Sequence, residues 1–171
     1  DNVVAMGEIG LDKRDGMPAM ELQEAAFRAQ LNLARQMNLP VILHAVKASG
    51  PLLTILQEGP ELPAGGVWHG YSGSIEVAKQ IEQVGLHISI GGQVSYPNSK
   101  KCRLSARAIR ADRLLVESDS PDHPPLDWGH PQSEPASIQK NIEEIAALRG
   151  EAMEAIAKQT YENAARLFRI G

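Results

Sequence analysis

Short apolar runs alternate with longer segments of mixed polarity along the chain, and this alternation predicts β-strand–α-helix units. The runs occupy residues 3–6, 40–44, 66–69, 86–91 and 114–119, and the first leads directly into Gly7-Glu8-Ile9-Gly10. Runs of this length, rich in apolar and β-branched residues, are typical of strands buried in a parallel sheet. The pattern therefore predicts an α/β fold with five parallel strands.

The segments between these strands carry apolar residues at helical spacing. Phe27, Leu31 and Ala34 show the three- and four-residue intervals of an amphipathic helix. Ser74 is suited to a helix N-cap, and Gly85 to the position just beyond a helix C-terminus. Helices are predicted at residues 18–37, 51–57, 75–85 and 100–110, followed by a polar loop at 120–132 and two or three closing helices at about 134–148, 151–158 and 160–168.

Five such units are compatible with an open doubly wound sheet or with part of a (β/α)8 barrel. The first strand–helix turn lacks the glycine-rich phosphate fingerprint of dinucleotide-binding folds, which weakens the open-sheet alternative. A complete barrel usually takes about 250 residues, whereas this chain has 171. We expect a single domain over residues 1–171, and the pattern alone leaves the choice of topology open.

Composition is that of an ordinary globular protein, with 43% apolar and 22% charged residues. No run has the length of a membrane helix, and the first residues, Asp1-Asn2-Val3-Val4-Ala5, do not resemble a secretory signal. The single cysteine, Cys102, excludes an internal disulfide and is compatible with a reducing cytosol. We therefore expect a cytoplasmic protein without a membrane partner. The formal net charge of −4 gives no support to nucleic-acid binding, although acidic metal ligands would contribute to it.

Side chains able to bind a metal end four of the five predicted strands. They are Glu8, His44, His69 and Asp119. A single histidine at a strand end is usually a hydrogen-bonded core residue, and a single carboxylate often caps the next helix. Four at corresponding places favour a shared site, because the carboxyl ends of parallel strands converge on one face of a barrel. Two imidazoles and two carboxylates suit Zn²⁺, Mn²⁺ or Fe²⁺, with Mg²⁺ as an alternative where carboxylates and water dominate.

Other chemistry-bearing residues have simpler interpretations. His87 lies inside the fourth strand, where a packing role is expected, and His123 and His130 lie in a polar loop, where solvation is expected. A basic cluster follows the fourth strand and could meet phosphates, although a solvated helix face is the simpler interpretation. Its members are Lys100, Lys101, Arg103, Arg107 and Arg110. Tyr96 and Trp128 lie in loops that follow the fourth and fifth predicted strands, near the candidate ligands, and could stack on a base.

Several segments together resemble the TatD family of metal-dependent hydrolases. They are Gly7-Glu8-Ile9-Gly10-Leu11-Asp12, the strand at 40–44, His69-Gly70-Tyr71-Ser72-Gly73, Leu115-Val116-Glu117-Ser118-Asp119-Ser120-Pro121 and Glu162-Asn163-Ala164-Ala165-Arg166-Leu167-Phe168. They follow one another in the family's order and span essentially the whole chain. The resemblance implies a partial (β/α)8 TIM barrel made of the C-terminal five βα units, with the N-terminal strands missing.

The resemblance also assigns roles to the candidate residues. It implies that Glu8 bridges two divalent metal ions (Zn²⁺, Mg²⁺ or Mn²⁺), that His44 and His69 are ligands, and that Asp119 combines a metal contact with general-base work. Glu117 would orient a neighbouring group. The implied activity is hydrolysis of DNA, often from the end of a single strand. Lys47, Tyr96, Lys100 and Arg103 are then the candidate substrate contacts.

The sequence departs from the family in two places. The family begins with a strand carrying a His-x-His pair and about two further βα units before the Gly-Glu-Ile-Gly motif, which here begins at residue 7. The resemblance therefore implies a truncated chain whose barrel is completed by the missing segment or by another copy. The family's usual arginine after the histidine matched by His44 is replaced by Val46, beside which Lys47 could contact phosphate.

Three functions remain open from the sequence. The first is a metal-dependent deoxyribonuclease that is active when the barrel is complete. The second keeps the metal barrel but acts on an amide, ester or lactone, because the same ligands serve these reactions. The third is a catalytically inactive fragment that acts as a scaffold.

Overall fold

A computed structural model of the protein describes residues 3–170. Asp1, Asn2 and Gly171, which are the ends of the domain predicted over residues 1–171, lie outside the described residues. The strands are β1 (Met6–Asp12), β2 (Val41–Val46), β3 (Gly66–Trp68), β4 (His87–Ile90) and β5 (Leu114–Val116). The helices are α1 (Met20–Met37), α2 (Ser49–Glu58), α3 (Ile75–Gln83), α4 (Lys100–Ala108), α5 (Ile138–Arg149) and α6 (Met153–Phe168).

The five strands form one parallel sheet in the order β1-β2-β3-β4-β5. Each strand lies beside the strand that precedes it in the chain. This is the order of a (β/α)8 barrel, whereas a doubly wound sheet reverses its strand order part of the way along. The α/β class and the parallel sheet predicted from the sequence are therefore confirmed, and the strand order favours the barrel topology over the open sheet.

Side chains alternate between the two faces of the sheet, as the strand period of two requires. One face buries the large apolar cluster with α1 to α4, including Phe27, Leu43 and Trp68. The other face carries a smaller cluster of Val67, Leu115 and Leu167, against which Ile42, Ala164 and Phe168 pack. Since His44, His69 and Glu117 lie two residues beyond Ile42, Val67 and Leu115, they continue the face of the smaller cluster toward the carboxyl ends of the strands.

The first two strands approach each other closely at Gly10, which pairs with His44. A Cβ atom built on Gly10 would lie 1.9 Å from the carbonyl oxygen of His44, and the φ of Gly10 is +153°. Both observations require glycine at this position. The absent side chain lets the backbone of β1 lie directly against the backbone that carries His44.

Two predicted boundaries were wrong. The first strand was predicted at residues 3–6 but runs over Met6–Asp12, so that the Gly-Glu-Ile-Gly segment lies inside the strand rather than after it. Of the two or three closing helices predicted, two form: the segments predicted at 151–158 and 160–168 are one helix, α6, because no glycine or proline interrupts residues 153–168. Ser74 precedes α3 as expected, but its side chain makes no capping hydrogen bond; Gly85 has the left-handed φ of +83° expected beyond a helix end.

Candidate metal centre

Glu8, His44 and His69, from three adjacent strands, bring three ligand atoms to one point. Glu8 Oε2 lies 3.2 Å from His69 Nε2 and 3.6 Å from His44 Nδ1. The two imidazole nitrogens lie 3.2 Å apart, and the rings stack with centroids separated by 5.4 Å. The convergence of these three side chains is what the strand-end pattern predicts.

The fourth predicted ligand, Asp119, lies on the other side of His69. Its Oδ1 is 3.8 Å from His69 Nδ1, and Glu117 Oε1 is also 3.8 Å from that nitrogen. The carboxylate of Glu117, which makes the largest contribution, raises the pKa of His69. Burial, followed by the charge of Glu117, raises the pKa of Asp119. His69 therefore lies between two carboxylates on its Nδ1 side and Glu8 on its Nε2 side.

Glu117 is held in place from two directions. Its Oε1 accepts a hydrogen bond of 2.5 Å from the backbone N–H of Gly70, and its backbone carbonyl accepts one of 2.8 Å from the side chain of Asn141. Asn141 is fully buried in α5. Glu117 is thus connected to the loop after β3 through its carboxylate and to a closing helix through its backbone.

Asp12 also belongs to the site, although no role was predicted for it from the sequence. It is 5% exposed, and its Oδ2 lies 3.3 Å from His44 Nε2. The Arg14 side chain donates to Asp12 Oδ2 through Nε at 2.8 Å, and Arg14 holds the pKa of Asp12 well below its usual range. A proton on His44 Nε2 donated to this carboxylate leaves the lone pair of Nδ1 facing Glu8 and His69.

One signal in the sequence could have found Asp12. It lies four residues after Glu8 in β1, and the period of two therefore puts both on one face of that strand. Gln23 from α1 secures the end of the strand: the Asp12 N–H donates to Gln23 Oε1 at 2.7 Å, and Gln23 Nε2 donates to the Asp12 carbonyl at 2.8 Å. The hydrogen bonds between Gln23 and Asp12 join a helix to a strand, and the sequence pattern does not reveal such a contact.

The donor set fits a divalent metal ion. Four ligands about 2.0–2.1 Å from a tetrahedral Zn²⁺ are separated from one another by about 3.4 Å. The three separations among Glu8, His44 and His69 run from 3.2 to 3.6 Å. These residues also form one of two groups in the described chain whose ligand atoms lie close enough to share an ion; the second is His69, Glu117 and Asp119. His69 is common to both groups.

The four predicted substrate contacts lie in different surroundings. Lys47 and Lys100 are exposed, and Lys47 directly follows β2. The Tyr96 hydroxyl donates to the Pro124 carbonyl at 2.5 Å. Arg103 donates to the Val94 carbonyl at 2.7 Å and pairs with Glu144 at 3.3 Å. Tyr96 and Arg103 therefore make contacts within the fold, while the two lysines leave their ammonium groups in solvent.

Two cavities border the site. One, of about 350 Å³, is lined by Glu8, Asp12, Arg14 and His44 among others. The other, of about 380 Å³, lies along the face of the smaller apolar cluster and reaches His69 and Glu117. The candidate metal centre is thus accessible from both sides. None of the helices in residues 3–170 is long and apolar enough to span a membrane.

Comparison with known proteins places the chain among metal-dependent hydrolases. Residues 1–169 match the family model described as TatD related DNase. The chain is 39% identical over 170 residues to the uncharacterized metal-dependent hydrolase YabD of Bacillus subtilis, covering 99% of this chain and 67% of YabD. It is 38% identical over 178 residues to a protein of Pantoea sp. (strain At-9b) named 3′-5′ ssDNA/RNA exonuclease TatD, with the same two coverages.

A solved structure supports the same relationship. The crystal structure of YjjV, a TatD homologue of Escherichia coli K12, superposes with a TM-score of 0.92 at 35% identity, covering 99% of this chain and 65% of that one. The TatD family hydrolase of Entamoeba histolytica gives a TM-score of 0.83 at 21% identity, which is a likeness of fold. The chain spans about two thirds of the length of the relatives that it matches.

Proposed function

Since this chain belongs to the TatD-related DNase family of metal-dependent hydrolases, we propose that it hydrolyses phosphodiester bonds in DNA with the help of bound divalent metal ions. The substrate proposed is a single strand or a DNA end. The observation that carries the proposal is the convergence of Glu8, His44 and His69, whose ligand atoms lie within 3.6 Å of one another. Glu8 lies within β1, His44 within β2, and His69 directly follows β3.

Each side chain has a defined part in this proposal. Glu8, His44 and His69 would hold one divalent ion, and Asp119 would take part in holding a second. Divalent ions bound there would act as Lewis acids and neutralise charge on the phosphodiester. Asp12 fixes the orientation of His44 through Nε2, and Glu117 does the same for His69 through Nδ1.

Asp119 is the proposed general base. Its carboxylate is half-buried beside His69, and burial raises its pKa, which makes the carboxylate a better proton acceptor than one in bulk water. In that role Asp119 orients the attacking water and accepts its proton. His69, and to a smaller extent His123 in the following loop, lower the pKa of Asp119, which opposes the effect of burial.

Positive side chains near the strand ends are the proposed contacts for the DNA backbone. Lys47 follows β2 directly after the strand that carries His44, and Lys100 begins α4. Both are exposed and able to meet a phosphate without losing a partner in the fold. Tyr96 and Arg103 are proposed to support the same surface through their contacts with Pro124 and Glu144.

The sheet is proposed to be a sector of a (β/α)8 barrel. The sequential strand order is that of a barrel, and β1 and β5 each have one partner among the described strands. Further strands, from a longer chain or from an associated copy, would pair with these two edges. The activity proposed here is therefore that of the whole barrel, to which this chain contributes Glu8, His44, His69 and Asp119.

A cleavage assay with a matched pair of variants tests the function. Asp119 and Asp127 both have a positive φ, of 52° and 58°, which asparagine tolerates well. Asp119→Asn should therefore fold normally and lose roughly a hundredfold or more of the Mg²⁺- or Mn²⁺-dependent cleavage of end-labelled single-stranded DNA. Asp127→Asn, an exposed change in the same loop, should retain it.

A substrate panel separates this function from its alternatives. The same protein is offered single-stranded DNA, a carboxylic ester, an amide and a lactone, each with and without the divalent ion. Metal-dependent turnover of DNA alone supports the proposal. Turnover of the ester, amide or lactone without cleavage of DNA would contradict it, as would full DNA cleavage by Asp119→Asn.

A further inference from the structure

A second polar cavity lies at the opposite end of the sheet from the candidate metal centre. It has a volume of about 470 Å³, and its polar lining includes His87, Arg113, Arg166 and Arg169. His87 begins β4, and Arg113 directly precedes β5, so the cavity lies at the amino ends of the strands. In a parallel barrel this face is remote from the catalytic end.

His87 contributes a buried imidazole with no hydrogen-bond partner among the described residues. The residue is 6% exposed, and neither Nδ1 nor Nε2 has a hydrogen-bond partner within 3.5 Å in that part of the chain. The backbone of Gly66 acts on the ring, and it raises the pKa of His87 against the effect of burial. Buried polar atoms are nearly always paired with protein or water. Burial, followed by the charge of Arg113, lowers the pKa of His87 to about 4, so that the ring is neutral at pH 7 and offers one N–H donor.

Three guanidinium groups surround the same cavity. Arg113 donates from Nη1 to the Gly85 carbonyl at 3.1 Å, which fixes its position, while its buried Nε has no hydrogen-bond partner among residues 3–170. Arg166 and Arg169, one turn apart near the end of α6, are exposed on the cavity wall. Their donors supply the planar, bidentate geometry that suits phosphate oxygens.

Negative charge does not balance these arginines within the cavity. None of the described residues that line it is acidic. Asp112 is 4.0 Å from Arg113 Nε, but it is already paired with Arg110 at 2.8 Å. Arg166 Nη2 is bonded to the neutral Asn163 side chain at 2.5 Å. The cavity therefore combines excess positive charge with unused buried donors.

We propose that this cavity binds a phosphate dianion, free or as a phosphomonoester. Arg113, Arg166 and Arg169 supply the charge, and the His87 N–H supplies a further donor after a small adjustment of its ring. The volume lies in the range of small-molecule sites, and the apolar side chains of Leu62, Pro63 and Leu167 line part of the wall, where the organic part of an ester can pack. The proposal does not depend on the proposed nuclease function.

Titration calorimetry with inorganic phosphate on the metal-loaded protein tests the site. Because Arg166 and Arg169 are exposed, Arg166→Gln/Arg169→Gln should fold normally and bind phosphate at least about tenfold more weakly than the wild type. Arg28→Gln, which removes one positive charge from an exposed surface pair with Glu58, is the matched control for the single variant Arg169→Gln, and it should leave the affinity unchanged. A single Arg169→Gln variant provides a second measurement if the double variant unfolds.

The location of binding is read from the histidine side-chain NMR signals. Phosphate in this cavity shifts the ring signals of His87 and leaves those of His44 and His69 in place. The affinities for phenyl phosphate and for inorganic phosphate are compared. The ligand that binds more tightly identifies whether the natural ligand is an ester or the free ion. Absence of saturable binding up to about 10 mM, equal affinity in the double variant, or shifts confined to His44 and His69 would each overturn the proposal.

Discussion

The position of His44 depends on Asp12 and Arg14, neither of which belongs to the predicted ligand set. The Asp12 carboxylate faces His44 Nε2 on one side and the Arg14 guanidinium on the other. A carboxylate behind a ligating histidine fixes the ring and raises its basicity. The candidate metal centre therefore consists of the ligands together with a buried carboxylate that is paired with an exposed arginine.

Asp12→Asn should weaken binding of Zn²⁺ by roughly 10- to 100-fold. The amide cannot supply the negative charge that orients the imidazole, and it also leaves Arg14 without its ionic partner. Competition with a chelator measures the affinity. Asp15→Asn, an exposed aspartate three residues later, is the control. Equal affinity in both variants would show that Asp12 does not position His44.

His87 should make stability depend on pH in acid. Its pKa is lowered from 6.5 to about 4 by burial and by the charges of Arg113 and Arg166, against weaker opposing effects of the Gly66 backbone and of Asp112. The unfolded chain therefore binds the proton first, and stability falls as pH decreases from 6.5 to 4. The full contribution is roughly 3 kcal/mol.

Urea unfolding of the wild type and of His87→Gln at several pH values measures this effect. The difference in unfolding free energy between the two proteins should change between pH 6.5 and 4, because histidine titrates there and glutamine does not. A difference that is constant from pH 6.5 to 4 would contradict the assignment.

At the scale of elements, one buried side chain hydrogen-bonds the last helix to the sheet, in addition to the apolar contacts of Leu167. Asn163 of α6 donates from Nδ2 to the carbonyls of Ala111 and Leu114, at 2.7 and 2.8 Å, and is fully buried. Leu114 is the first residue of β5, the strand that leads to Glu117 and Asp119. The helix thus fixes the start of the strand whose far end carries two residues of the site.

Asn163→Ala should destabilise the protein by about 2–4 kcal/mol, because two buried carbonyls lose their donor. Urea denaturation followed by circular dichroism measures the loss. Glu162→Ala, an exposed change on the same helix, should alter stability by less than about 0.5 kcal/mol. Similar losses of stability in both variants would mean that helix propensity, rather than the hydrogen bonds of Asn163, determines the effect.

The sequence predicted the five strands because each is short, apolar and β-branched, but it predicted the first one in the wrong place. Val3-Val4-Ala5-Met6 is the more apolar run, whereas β1 contains Glu8, Gly10 and Asp12 on one face. That face belongs to the candidate site and is therefore polar. A strand that carries functional groups loses the apolar signal by which strands are recognised.

At the scale of the whole molecule, the two ends of the sheet carry side chains of opposite charge. The carboxyl ends carry Glu8, Glu117 and Asp119 around two histidines, and the amino ends carry arginines around His87. The sequence could predict Glu8, His44, His69 and Asp119 because each lies at or near the end of an apolar run, although β1 extends beyond Glu8 and β2 beyond His44. It could not predict the group at the amino ends, because Arg113, Arg166 and Arg169 come from a turn and the end of a helix that meet only in the folded chain.

The central claim is that Glu8, His44, His69 and Asp119 form a divalent metal centre, and the most direct test is Zn²⁺ binding by three proteins. Equilibrium binding is measured for the wild type, for His69→Ala and for His130→Ala, an exposed loop histidine. His69 is shared by both candidate ligand groups. We predict at least one tightly bound ion in the wild type and in His130→Ala, and an affinity lower by roughly a hundredfold or more in His69→Ala. Equal Zn²⁺ affinity in all three proteins would contradict the assignment of this metal centre.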